Sequence, residues 1–339
     1  MGLLRSRRGE PRGRLEGAET AIAVLLGIDV GGTKTAFSLG DGMGRISARE
    51  RVPTPNSGDT RQDLEQIAGH ARALVAASGT ALRDVAAVGV SVPGGIDFDA
   101  GLVLRPPNLP GWDGMPLRDG LRAALDRPVA IENDANAAAL AEWRFGAGRG
   151  VQNLVLLTMS TGVGGGLILG GRLHRGVLSA AGEVGHLPVE WDGAPCACGQ
   201  RGCLEAYVGG AAWTKRLRRE TPPGSRVAAL AGSSAAIRPE HVVAAAREGD
   251  AFALSELTRW NGYLVRGLAA LVATLAPELF VLGTIAIAAG EALCFEPVRR
   301  ELAKRVWPYL EGHIRVEPAS LGADLPYHAG LGVARELVG

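Results

Sequence analysis

Seven short apolar runs punctuate the chain, at 22–28, 85–92, 128–132, 153–159, 165–169, 279–283 and 313–317. Each is bounded by turn residues and is too short for a helix of its own, so each predicts a buried strand. Helical spacing appears between them. Leu64, Ile67, Ala71, Leu74 and Val75 fall on one face, as do Leu117, Leu121 and Leu125, and a further helix is expected over 134–145. Alternation of strands and helices predicts an α/β fold. Gly- and Pro-rich joins lie at 53–60, 106–116 and 221–234. The last, with Pro222, Pro223, Gly224 and Gly232, reads as a surface loop.

One pattern occurs twice. The run 22–28 leads into Asp29-Val-Gly-Gly-Thr-Lys34 and then Phe37-Ser-Leu39. The run 153–159 leads into Ser160-Thr-Gly-Val-Gly-Gly-Gly166 and then Leu167-Ile-Leu169. Each is strand, Gly-Thr tip, strand, and two such openings suggest a duplicated fold with a cleft between its halves.

Composition narrows the setting. With 339 residues, 47% of them hydrophobic, the chain has enough apolar material for about two domains. Its formal charge is 36 − 35 = +1, so bulk electrostatics do not point to nucleic acid. No run of about 18 apolar residues suggests a membrane span; the greasiest stretch, 268–295, is broken by Pro277-Glu278 and Gly290-Glu291 and reads as helix, strand, helix. Five arginines precede residues 21–28 in the manner of a signal peptide, but Glu10, Pro11, Glu16 and Glu19 interrupt the lead-in and no small-x-small site follows. Residues 1–21 are therefore expected to be a disordered extension or a start-site artefact, and the address cytoplasmic. In that reducing setting the three cysteines within 196–203 suggest metal before disulfide.

Candidate chemistry concentrates in three places. The glycine tips offer backbone N–H groups and hydroxyls suited to polyphosphate oxygens, or they are ordinary hairpin turns. Neither a P-loop nor a dinucleotide fingerprint fits: Lys34 leads into a strand, and Leu167 stands where the third glycine of the fingerprint belongs. Asp29 beside phosphates would be repulsive without a cation, which suggests Mg²⁺. Asn133-Asp134 ends a strand and opens a helix, which fits a helix cap or a carboxylate base in a ligand crevice. His186, Cys196, Cys198 and Cys203 form H-x9-C-x-C-x4-C, three thiolates and an imidazole, the donor set of a closed structural Zn²⁺ site. A deaminase signature fails, because residue 188 is Pro and the cysteines are C-x-C. Cys294 reads as plain core. If zinc holds one nitrogen of His186, the other is aimed, and Glu183, His186 and Glu205 become a rigid set for a polyol.

Together Asp29–Lys34, Ser160–Gly166, Gly182-Glu-Val-Gly-His186 and the Cys196–Cys203 knuckle resemble the ROK family of repressors and sugar kinases, most closely its glucokinase-type members. Pro93-Gly-Gly-Ile-Asp97, Pro107-Asn-Leu-Pro-Gly-Trp112 and Asn133-Asp-Ala-Asn-Ala-Ala-Ala139 extend the resemblance from about residue 22 to 339. It implies an actin-like ATPase (ribonuclease H-like) fold of two α/β lobes with a small zinc knuckle. The lobes would span 22–134, completed by a helix at about 323–339, and 135–322, with the knuckle at 186–203. It implies Asp134 as catalytic base, and Gly95, Asn133, Glu183, His186 and Glu205 around the sugar. Gly32, Thr33, Lys34, Thr161, Gly162 and Gly283 would hold ATP, Asp29 Mg²⁺ through water, and His186, Cys196, Cys198 and Cys203 structural zinc. The implied reaction is ATP-dependent phosphorylation of a hexose 6-hydroxyl, first glucose, with N-acetylglucosamine, N-acetylmannosamine, mannose and fructose as other acceptors and loop 106–116 choosing among them. A homodimer or tetramer is implied, without nucleic acid or membrane. A repressor's DNA-binding module is not expected in the roughly 20 residues before Ile22; a sugar sensor without turnover remains an alternative. Two departures stand out: Ser160 where the family often has Gly, and Leu282-Gly-Thr-Ile-Ala286 where it usually has a Gly-Gly turn under the adenosine.

Overall fold

A computed structural model describes residues 23–107 and 109–339. The expected extension 1–21 and Asn108 of the Pro107–Trp112 motif lie outside them. Two mixed sheets organise the chain. The first has the order β3-β2-β1-β4-β7, with β1 Val24–Val30, β2 Lys34–Asp41, β3 Ile46–Pro53, β4 Val85–Val92 and β7 Val129–Asn133. Between β4 and β7 the chain makes a small separate hairpin, β5 Gly95–Asp97 and β6 Leu102–Leu104. The second sheet has the order β11-β10-β8-β9, with β8 Leu154–Met159, β9 Val163–Ile168, β10 Leu279–Leu282 and β11 Arg315–Pro318. In each, an antiparallel hairpin (β1–β2, β8–β9) is extended by parallel strands on the side of its first strand. The repeat seen in the sequence is thus a repeat of topology.

Two helices fill the space between the sheets. Helix Asp134–Phe145 packs on β8 and β9, helix Leu325–Arg335 on β1, β2 and β4, and the two pack on each other. Both approach the sheets closely because glycine removes the obstacle. A Cβ at Gly89 would strike the backbone of Gly330 and Ala334, and one at Gly330 would strike Ile28 and Gly27. The same logic applies in β9, which begins two residues before the expected run 165–169. Gly164, Gly165 and Gly166 belong to β9; a Cβ on Gly166 would come within 2.5 Å of Ala139 Cβ. Gly164 and Gly166 face helix Asp134–Phe145, Gly165 faces Gly182 and Val184, and Ser160, Thr161 and Gly162 form the tip.

Segment 221–234 is also corrected. It contains helix Arg226–Ala231, capped by the Ser225 hydroxyl and anchored by fully buried Val227. Strand β3 had no counterpart among the apolar runs, because its exposed face carries Ser47, Arg49 and Arg51 between half-buried neighbours. Cys294 is fully buried core, as expected.

The join 106–116 is pinned rather than loose. Leu109, Trp112 and Met115 are buried, and Trp112 Nε1 donates to Asp63 Oδ2 at 3.0 Å. Asp63, itself fully buried, accepts Ser57 N–H with its other oxygen. Trp112→Phe keeps most of the volume but strands that carboxylate oxygen, and is expected to lower stability by about 2 kcal/mol in urea unfolding.

Candidate active site

The first tip, between β1 and β2, is closed by Gly31 N–H donating to Lys34 C=O at 2.9 Å. Gly32 is half-buried, while Thr33 and Lys34 are exposed. Asp29 sits near the end of β1, opposite Ser91 of β4, whose hydroxyl donates to Asp29 Oδ1 at 2.6 Å. In the second tip, Ser160 N–H donates to Gly162 C=O at 3.1 Å. The start of helix Gly210–Glu220 is bonded to this tip: Gly210 and Ala211 N–H donate to Ser160 and Thr161 C=O. A Cβ at Gly162 would come within 2.4 Å of Glu205 Oε2, so any larger residue there would displace that carboxylate.

Beyond the second tip opens a cavity of about 960 Å³, with Met159, Ser160 and Thr161 in its wall. Apolar Val243, Ile285 and Ala288 line it together with cationic Lys215, Arg218 and Arg238, contributions that no sequence motif announced. Gly283 ends β10, its N–H bonded to Leu157 C=O, and the residues after it, Thr284 and Ile285, face the cavity. Thr284 has φ 49°, a backbone region that favours glycine, and its hydroxyl accepts Met159 N–H at 2.9 Å. The departure noted in the sequence is therefore a threonine held where glycine is at ease, with a side-chain bond to offset the strain.

At the other side of the tips, Asn133 caps helix Asp134–Phe145: its Oδ1 accepts Ala135 and Asn136 N–H, and its Nδ2 donates to Gly94 C=O at 2.9 Å. The capping falls to Asn133 and leaves Asp134 as the first helical residue, with Asp134 Oδ1 accepting Ala135 N–H at 2.8 Å. Gly95, in β5, follows the Gly94 that Asn133 holds. Glu183 is exposed, and its Oε2 lies 3.9 Å from His186 Nε2. Glu205 is half-buried and accepts Val163 N–H at 2.8 Å, which ties it to the second tip.

His186 Nδ1 faces the thiols, 3.7 Å from Cys196 Sγ, while Cys198 and Cys203 Sγ are 3.8 Å apart. All four donor atoms lie within 4.8 Å of one another. A tetrahedron with sulfur at ~2.3 Å from zinc has edges of ~3.8 Å, so the donor set fits that ion. Burial and hydrogen bonding from Cys198 and Cys196 push the Cys203 thiol up to about 12, a cost that a bound cation would offset.

Sequence reasoning gave no role to Glu132, Asn136 or Arg175. Glu132 is fully buried beside the Asn-Asp step and bonded to both of the others. The signal was there: a carboxylate directly after Val129, Ala130 and Ile131 inside a buried strand.

The ROK family model matches residues 25–331. The chain belongs to the ROK family. It is 35% identical over 317 residues to the glucokinase of Thermotoga maritima, covering 93% of this chain and 98% of that one. It is 31% identical over 239 residues to the xylose repressor of Bacillus subtilis, covering 70% and 58%. Among solved structures, the ROK hexokinase from Thermus thermophilus superposes with a TM-score of 0.79 at 34% identity, covering 93% and 99%. The ROK glucokinase from Streptomyces griseus, in complex with glucose and AMPPNP, gives 0.72 at 34% identity, covering 92% and 99%. This ROK protein is an ATP-dependent sugar kinase. Among its described residues no helix is long and apolar enough to cross a membrane.

The carboxylates of this ROK kinase crowd one another. Burial raises Asp29 to about 6, against the bond from Ser91, and the nearby charge of Asp134 adds to the rise. Desolvation by the surrounding protein also raises Asp134, with a contribution from Glu183, against the Ala135 N–H bond. Because the folded-state value of Asp29 exceeds its unfolded 3.8, the native state holds the proton more tightly. Without a cation, its cost to stability is absent below pH ~4, grows through the interval and is complete above pH ~6. Asp29→Asn should therefore raise the melting temperature of the nucleotide-free protein at pH 7.5, and scans at pH 5 and below should show that gain shrinking away.

Proposed function

We propose that this ROK kinase transfers the terminal phosphoryl group of ATP to the 6-hydroxyl of a hexose, glucose before others, with Asp134 as general base. The observation that carries this is the placement of a carboxylate at the head of a capped helix, with its proton affinity raised, within electrostatic reach of Asp29 and Glu183. A sugar hydroxyl ionises far above neutrality, so the base has only to accept its proton as the bond to phosphorus forms. Asn133, Gly95, Glu183, His186 and Glu205 would hold the other hydroxyls. The half-buried Gly32, exposed Thr33 and Lys34, and Thr161 with Gly162 would take the phosphates, and the cavity beyond Thr161 the nucleoside, next to Gly283. Mg²⁺, held through water by Asp29, would neutralise the phosphate charge that three crowded carboxylates otherwise repel. His186 Nδ1, Cys196, Cys198 and Cys203 would hold a structural zinc, leaving His186 Nε2 directed toward Glu183 and the acceptor. Four free thiols suit a reducing compartment, the cytoplasm.

A kinase acting first on N-acetylglucosamine, N-acetylmannosamine or fructose is the second reading. A coupled assay with ATP, Mg²⁺ and a panel of hexoses separates the two: turnover highest on glucose supports the first proposal, and turnover highest on another acceptor supports the second. Asp134→Asn is expected to lower kcat by about 10²–10⁴-fold while the glucose dissociation constant stays within a few-fold. Metal analysis should give one zinc per chain. Cys198→Ser should lose it, melt earlier, and raise the glucose KM by about tenfold or more, since His186 would then swing free.

A further inference from the structure

We propose that Arg175 is a positioning residue of the sugar side of the site, acting through Glu132 and resting on the kinase reading above. Glu132 is fully buried and its carboxylate receives three hydrogen bonds. Arg175 Nε donates to Oε2 at 2.6 Å; Asn133 N–H and Asn136 Nδ2 donate to Oε1, each at 3.0 Å. Two of these donors belong to the corner that presents Asp134. The third comes from the segment after β9, which runs on from Arg175 to Glu183 and His186. The Arg175 guanidinium also lies over the Phe98 ring, 4.2 Å from its centroid, and Phe98 directly follows β5, the strand that carries Gly95. One planar cation thus touches the three segments that bear the proposed sugar contacts: the Asn133–Asp134 corner, the Gly95 hairpin and the approach to Glu183. The turn Val177–Ser179, just past Arg175, packs against the same β5. A buried carboxylate needs only a nearby positive charge to be tolerated, but a flat guanidinium bonded edge-on and stacked face-on also fixes an angle. That angle is what the acceptor hydroxyl needs between Asp134 and the groups that hold the ring.

Arg175→Lys keeps the charge and removes the plane. With the wild type in parallel, the expected result is a melting temperature close to wild type, a kcat lower by about 10²-fold, a glucose affinity at least about tenfold weaker by calorimetry, and an AMPPNP affinity within twofold of wild type. A Lys variant with wild-type kcat and glucose affinity overturns the proposal, because charge alone then suffices. A Lys variant that loses AMPPNP affinity as much as glucose affinity also overturns it, because the damage is then general. If Arg175→Lys fails to fold, Phe98→Leu decides. It leaves the ion pair intact, and a several-fold loss of glucose affinity at unchanged AMPPNP affinity supports the proposal, whereas no loss overturns it. Were the wild type to phosphorylate no hexose, the kinase reading would fail on its own, and the two affinities would still judge Arg175.

Discussion

A strand that ends in Glu132-Asn133-Asp134 brings three polar side chains to one corner, and the rest of the site follows from how that corner divides them. Glu132 points into the protein and is matched by Arg175 and Asn136. Asn133 turns along the chain and satisfies the first amides of the helix. Asp134 is then released from capping. Asp134 keeps one amide bond, from Ala135 N–H to its Oδ1, which lowers its proton affinity, while desolvation raises it by more. The buried ion pair is thus worth less as a source of stability than as a device that fixes direction, since two buried charges seldom gain more from each other than they lose in hydration.

The same economy of direction recurs at Glu205 and His186. Glu205 accepts Val163 N–H at the second tip while its other oxygen lies 3.8 Å from Cys196 Sγ. A group beside the proposed zinc site therefore also braces the loop proposed to meet phosphate. Helix Gly210–Glu220 begins one turn later and is bonded to that loop. Acceptor side and donor side are joined by short, stiff segments, so a shift at one is felt at the other.

Much of this was legible in the sequence, because its strongest signals are local. Short apolar runs marked most strands, helical spacing marked the helices around Leu64 and Leu117, and the spacing of His186 and the cysteines marked a donor cluster that the structure draws together. What was not legible depends on partners far along the chain. Gly164 and Gly166 give no local reason to be glycine until Ala135 and Ala139 are seen packing on them. Strand β3 is an edge strand whose alternation is diluted by charge. Glu132 looked like one more residue of a motif, because nothing nearby in sequence names Arg175 as its partner.

The packing of helix Leu325–Arg335 against β1 and β4 has a consequence for how the protein is made. The strands it covers leave the ribosome before it, and their cover leaves after every strand of both sheets. Leu25 and Ala87, fully buried with Leu331 and Ala334 in the finished protein, stay without these partners throughout synthesis. The nascent chain thus carries an open, sticky sheet face until that helix emerges, a stage at which chaperone capture or aggregation competes with completion.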